Sequence, residues 1–206
     1  MGSIFFAHSG GVTTTINATL SGVIDGYQKH QSSFSNLLIG ENGIIGAIKE
    51  SLIDIKQYTQ KELQSIYTQP GAAFGSCRFK LKDPNTQSAQ FERILEVFKA
   101  HNIKYFIYNG GNDSQDTTLK LSTYFKKNDL DIHCMGIPKT IDNDLYGTDN
   151  CPGFGSAAKY LITSIMEAGV DLRSMSNSST KVFILETMGR HTGWLAASTG
   201  LAKAPF

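Results

Sequence analysis

Seven consecutive residues, Pro138-Lys139-Thr140-Ile141-Asp142-Asn143-Asp144, bring together two carboxylates, a hydroxyl, an amide and an ammonium. They follow an apolar segment, His133 to Ile137, that reads as a buried strand. A strand ending in such a cluster delivers polar groups to the carboxyl edge of a sheet, where open α/β folds bind ligands. Asp142 and Asp144 lie two apart, so extended backbone would point both to one side. One can then accept a proton while the other holds a metal or a substrate, an arrangement suited to phosphoryl transfer.

Two glycine loops upstream offer phosphate sites. Ser9-Gly10-Gly11-Val12-Thr13-Thr14-Thr15 sits between a short apolar strand, Ile4 to Ala7, and an amphipathic stretch starting at Ile16. Asn109-Gly110-Gly111-Asn112-Asp113-Ser114 follows a strand at Tyr105 to Tyr108 and precedes a helix starting near Ser114 or Gln115. In the first, backbone N–H groups and the positive end of a helix dipole would face an anion, and in the second the glycines would let a phosphate approach the backbone. Asp113 adds an oxygen for a hard cation such as magnesium. A third segment, Glu186-Thr187-Met188-Gly189-Arg190, closes another apolar stretch, Lys181 to Leu185, and Gly193 to Ala197 reopens a helix. Taken singly, each piece has a plainer reading. Paired glycines serve turns, Asp142 and Asp144 can cap a strand, Arg190 and Lys139 can be solvated, and Arg78, Lys80 and Lys82 can be one face of an exposed strand.

Along the chain, strand and helix alternate, which implies an α/β fold with a largely parallel sheet sandwiched by helices. Strands are expected at Ile4 to Ala7, Leu37 to Ile39, Tyr105 to Tyr108, His133 to Ile137 and Lys181 to Glu186. Helices are expected from Ile16 to Tyr27, around the apolar stripe Phe91, Ile94, Leu95 and Phe98, from Ser114 to Phe125, and from Ser156 to roughly Gly169. Gln69 to Asn85, rich in Gly, Lys and Pro, is expected as a loop or hairpin carrying Arg78. Loop-like composition from Gly147 to Gly155 places a domain boundary there, giving a first domain at 1–150 and the start of a second α/β domain at 151–206.

Composition narrows the class. The 206 residues carry a net charge of +1 and 40% hydrophobic side chains, so no general field attracts nucleic acid or a membrane surface, and any phosphate site must be local. The longest apolar run is far too short to span a bilayer. Cys77, Cys134 and Cys151 show no paired spacing, which points away from a disulfide frame or zinc site and towards a reducing, cytoplasmic setting. Cys134 reads as a buried thiol in a strand.

Together the segments resemble the phosphofructokinase family, whose members use either ATP or pyrophosphate. The matching pieces are SGGVTTTINA (Ser9 to Ala18), GAAFGSCRFKL (Gly71 to Leu81), YNGGNDSQDT (Tyr108 to Thr117), GIPKTIDND (Gly136 to Asp144) and ETMGRHTGW (Glu186 to Trp194). They occur in family order, and TIDND with MGR discriminates better than any glycine loop. ATP-using members resemble GGDGS and PGTIDND, with glycine where this chain has Asp113 and Lys139. A carboxylate and a lysine at those places fill space needed by a nucleotide, and the ammonium suits a compact, highly charged donor. The resemblance therefore implies inorganic pyrophosphate as donor and fructose 6-phosphate as acceptor, with an ATP-dependent 6-phosphofructokinase as one alternative.

The roles it implies are these. Gly10, Gly11 and Arg78 hold a terminal phosphate, and Asn112, Asp113 and Ser114 line the site of Mg2+ and pyrophosphate. Most members carry Asp at the position of Asn112, so the metal would lean on Asp113 or on water. Asp142 is the general base. Thr140 and Asp144 position the sugar and the transferring group, Lys139 and Arg190 offset charge on its oxygens, and Met188 and Gly189 contact the sugar phosphate. The family also implies a homo-oligomer and a chain longer than 206 residues, whose second domain continues through a PEGG-like segment and a later basic segment absent here. The acceptor site is accordingly expected to be incomplete, with a catalytically incomplete phosphate-binding fragment as the other alternative.

Overall fold

The structure, a computed structural model, describes residues 1–84 and 86–203, and the backbone alone of Thr14. These residues fall into two compact units, Met1–Lys139 and Thr140 onward.

The first unit is built on a five-stranded sheet of order β3-β2-β1-β4-β5, with β1 Ser3–His8, β2 Leu37–Gly40, β3 Leu52–Asp54, β4 Ile103–Gly110 and β5 His133–Pro138. All neighbours are parallel except β2 and β3. β1 lies at the centre and is buried along its whole length. Its alternation divides the core. Phe5 and Ala7 pack with Phe106 and Tyr108 of β4 against α4 Ser88–Ala100 and α5 Asn112–Lys127, through Phe91, Ile94, Phe98, Leu121 and Phe125. Ile4 and Phe6 face the other way, towards Leu20, Ile24 and Tyr27 of α1 Thr14–Lys29 and Leu63 of α3 Gln60–Ser65. A strand covered on both faces is apolar along its middle, which is why IFFA, Ile4 to Ala7, shows no polar alternation.

The stripe expected on α4 is present, with Val97 buried in the place given to Leu95, which is half-buried. Three short elements were not foreseen: β3, α3 and α2 Ile44–Lys49. Each is too short to show a full hydrophobic period. The segment from Gln69 runs as a loop with short turns and contains no strand among its described residues; Asn85, its expected end, lies outside them.

The sheet order creates a switch point. The chain leaves β1 towards β2 on one side, whereas β4 pairs with β1 on the other, bringing His8 beside Asn109. The loops that follow β1 and β4 diverge from this point, so a crevice opens where both carboxyl ends emerge.

In the second unit, α6 Phe154–Met175 and α7 Trp194–Ser198 are helical. The expected strand from Lys181 to Glu186 is not one: the segment has no secondary structure, and Val182 and Ile184 are 70% and 85% exposed. An apolar β-branched run becomes a strand only when a neighbouring backbone completes its ladder, and none of the described residues does so. Among the described residues, no helix is long and apolar enough to cross a membrane.

Candidate functional site

A cavity of about 460 Å³ opens at the switch point of the first unit. Its walls are the loop after β1 (residues 9–11), the segment 77–80, and the start of α5 (residues 111–114). Gly10 turns with φ +82°, a conformation that side chains with a Cβ rarely adopt. The turn is stitched to the opposite wall: Gly10 N–H donates to the Cys77 carbonyl at 2.8 Å, and the Ser76 hydroxyl donates to the Gly10 carbonyl at 2.8 Å. Beneath it, the Ser9 and Ser114 hydroxyls hydrogen-bond to each other, tying the loop after β1 to the first turn of α5. This clasp leaves no room at Gly110, where an added Cβ would come within 2.6 Å of the Ser114 Cβ and 2.9 Å of the Ser9 Oγ.

α5 begins two residues earlier than expected, so Asn112, Asp113 and Ser114 form its first turn. Gly111 caps it without a side-chain hydrogen bond. The first N–H groups of a helix lack intrahelical partners and, with the dipole, favour an anion at that end. Asn112 and Asp113 are exposed at the rim, while Ser114 is buried in the clasp.

Three cations flank the cavity. Arg78 is exposed, and its Nη2 lies 3.7 Å from where a Cβ of Gly11 would sit, over the glycine loop. Lys139 is buried, with its ammonium donating to the Gly11 carbonyl and its backbone N–H bonded to the Gly110 carbonyl at 3.0 Å. Lys80 pairs with Asp113 across the mouth at 3.1 Å. Hydrogen bonding to Asp113, helped by its charge and that of Asp116, holds the Lys80 pKa above the ordinary lysine value.

Behind the loop, His8 is buried and no good hydrogen bond reaches either ring nitrogen. Burial lowers its pKa to about 4; the Gly75 backbone pulls it up, and the Lys139 charge pushes it further down. The ring is therefore neutral at pH 7. Burial pushes the half-buried Cys134 thiol up to about 12, which keeps it protonated and inert.

The second unit holds the remaining expected residues. Thr140 bridges to Gly153, and its hydroxyl accepts from the Asp142 N–H at 3.1 Å. Asp142 and Asp144 are not aligned by extended backbone as expected, because Asn143 between them turns left-handed at φ +58°. Asn143 is buried and locks that turn, donating to the Asp149 carbonyl at 3.1 Å and accepting from the Cys151 N–H at 2.8 Å. Asp142 is consequently half-buried and Asp144 exposed. The Thr192 hydroxyl donates to the Asp142 carbonyl at 2.8 Å, and Gly189 packs against the Thr192 carbonyl. This draws the segment carrying Met188, Gly189 and Arg190 to Asp142; Met188 and Arg190 are exposed.

The first unit thus brings together Gly10, Gly11, Arg78, Asn112, Asp113, Ser114 and Lys139, and the second brings Asp142 to the Met188–Arg190 segment. Lys80, Ser9, Asn143 and Thr192 also shape these sites. The alternate spacing of Arg78 and Lys80 was the available signal for the first of them, and asparagine's tolerance of positive φ for the third. Among the described residues, no group of three or more His, Cys, Asp or Glu side chains is arranged to hold a metal ion. Asn112 and Asp113 place one amide and one carboxylate oxygen at the rim, the donor chemistry a magnesium ion takes when it keeps several waters alongside substrate phosphate.

The family model described as phosphofructokinase matches residues 3–205. The chain is 52% identical over 198 residues to the pyrophosphate–fructose 6-phosphate 1-phosphotransferase of Halomonas elongata, covering 96% of this chain and 47% of that protein. A protein of the same name from Xanthomonas campestris pv. campestris is 52% identical over 201 residues, covering 98% and 47%. The crystal structure of a pyrophosphate-dependent phosphofructokinase from Marinobacter aquaeolei matches with a TM-score of 0.89 at 52% identity, covering 98% of this chain and 50% of that one. The chain spans about half the length of these relatives.

Proposed function

The chain belongs to the phosphofructokinase family, and from that premise we propose that it serves pyrophosphate-dependent phosphorylation of fructose 6-phosphate to fructose 1,6-bisphosphate. The observation that carries this reading is the cavity of the first unit, where a glycine turn, the start of α5, Arg78 and Lys139 converge on one sheet edge. Such a site is sized and charged for a compact polyanion.

The roles proposed for individual residues are those that the family resemblance implies. Backbone N–H groups at Gly10 and Gly11 and the guanidinium of Arg78 hold the diphosphate. Asp142 accepts the proton of the sugar 1-hydroxyl as that oxygen attacks the terminal phosphorus; the P–O–P bond breaks and orthophosphate leaves. Lys139 and Arg190 offset charge on the transferring phosphoryl oxygens. Thr140 and Asp144 orient the sugar, with Met188 and Gly189 against the sugar phosphate. Mg2+, held by Asn112, Asp113 and water, would neutralise phosphate charge when bound. Lys139 and Asp113 stand where ATP-using relatives resemble glycine, which supports pyrophosphate over nucleotide. Ser114, tied to Ser9, shapes the site and can offer its hydroxyl to the donor. The protein works in the cytoplasm as a homo-oligomer, as the family resemblance implies.

Titration calorimetry of pyrophosphate and ATP in magnesium, beside a coupled assay of fructose 1,6-bisphosphate formation, tests the reading. Pyrophosphate should bind more tightly than ATP, and turnover should vanish in Asp142→Ala. Preference for ATP would overturn the donor, and pyrophosphate binding without turnover would leave a donor-binding portion of an enzyme.

A further inference from the structure

A second cavity, of about 540 Å³, opens elsewhere on the first unit, beside β3 and α3. It shares no lining residue with the cavity at the switch point. A concavity of that volume suits a small organic molecule rather than the flat face of another protein. Its apolar lining is substantial: Ile66 and Phe74 are buried, Ile53 and Tyr58 are half-buried, and the Tyr58 and Phe74 rings meet edge to face at 5.7 Å. The wall that carries Phe74 is fixed in place. Its carbonyl accepts from the Asn42 N–H at 2.9 Å, and the neighbouring Ala73 N–H donates to Oδ1 of the buried Asn17, also at 2.9 Å.

The charge of this cavity has one sign. Glu41 and Glu62 line it and are exposed, and among the described residues no cationic side chain lines it. The Lys56 ammonium, close by in sequence, is engaged by the Ser35 carbonyl and Asn36 Oδ1, neither of which belongs to the lining. Both carboxylates are already oriented. The Ser51 hydroxyl donates to Glu41 Oε2 at 2.6 Å, and the Thr59 N–H and hydroxyl donate to Glu62 Oε2 at 2.7 and 2.8 Å. The Thr59 N–H first, and then its hydroxyl, hold the Glu62 pKa below the ordinary glutamate value, so this group stays ionised. In both residues these bonds fall on Oε2, and Oε1 is the oxygen with which to take a further donor.

We propose that this cavity binds an aliphatic diamine or polyamine, its ammonium groups on Glu41 and Glu62 and its methylenes over Tyr58 and Phe74. Two carboxylates that face one apolar space repel each other and any anion, and a cation with a hydrocarbon stem relieves the first and rejects the second. Ammonium groups gain further from aromatic faces, and burying the stem adds the hydrophobic contribution that a bare metal ion lacks.

The test is calorimetric titration of the protein with 1,4-diaminobutane, beside 1-aminobutane and spermidine, at physiological salt. The diamine should bind about three- to ten-fold more tightly than the monoamine, the scale of one screened charge contact. Glu41→Gln and Glu62→Gln each keep a hydrogen-bond acceptor, and glutamine also serves in the capping box, so both variants should fold. Each should lose about the same factor in 1,4-diaminobutane affinity, and the double variant should show no heat. Mg2+ at matched ionic strength should not displace the diamine. Absence of binding by both polyamines, equal affinity for monoamine and diamine, or unchanged affinity in both glutamine variants would overturn the inference. Displacement by Mg2+ would overturn it too, because the site would then be an acidic surface without use of its apolar walls. None of these outcomes depends on pyrophosphate binding, so the reading of the other cavity stands or falls separately.

Discussion

The variant His8→Gln should lose a pH dependence of stability that the wild-type protein carries. His8 sits buried at the carboxyl end of β1, and its pKa is lowered from 6.5 to about 4, chiefly by burial. Between those two values the unfolded chain binds a proton that the folded one refuses, so stability rises with pH across the window and is fully present above pH 6.5. Integrating the difference in bound protons from pH 7 down to pH 5 gives a loss of about 2 kcal/mol. For a chain of this length that is a fall of roughly 4–8 °C in Tm. Glutamine keeps a polar side chain but has no proton to gain. Urea unfolding of both proteins at pH 7, 6 and 5 measures the effect as a difference of slopes, in which ordinary carboxylate titrations cancel. A parallel decline in the two proteins would sink this prediction, because His8 would then titrate alike folded and unfolded. A lower stability of the variant at every pH would not rescue it, since only the slope reports the buried imidazole.

Gly110→Ala would force a Cβ into the Ser9–Ser114 clasp, destabilising the first unit by about 1–3 kcal/mol; an unchanged urea midpoint would mean the clasp yields freely. Pyrophosphate affinity in that variant should also fall, because the clasp fixes both walls of the cavity. Asn143→Ala removes two hydrogen bonds and places alanine at φ +58°, at a cost of about 2–3 kcal/mol. Thermal unfolding would show it, and Asn143→Gly should recover the backbone part of the loss but not the hydrogen bonds. Equal stability of the alanine and glycine variants would remove the argument from backbone strain.

The α/β class, the parallel strands and the glycine turns after β1 and β4 are legible in the amino-acid sequence, because local signals specify them. A strand buried on both faces must be apolar, as in Ile4 to Ala7, and a helix covering a sheet must repeat its apolar residues, as Phe91, Ile94 and Phe98 do. The residue types of the candidate site were legible for the same reason, since phosphate-binding turns and helix starts need glycine and small polar side chains. Relations between segments distant in the chain become visible only once the chain is folded. Arg78 comes over Gly11, the Lys139 ammonium reaches the Gly11 carbonyl, and Lys80 meets Asp113. Nor could spacing foresee that Asn143 would turn the backbone between Asp142 and Asp144, since its left-handed conformation is held by Asp149 and Cys151. The segment from Lys181 to Glu186 shows the limit from the other side: it has the composition of a strand, yet a ladder is a property of two segments, and no described residue supplies the second.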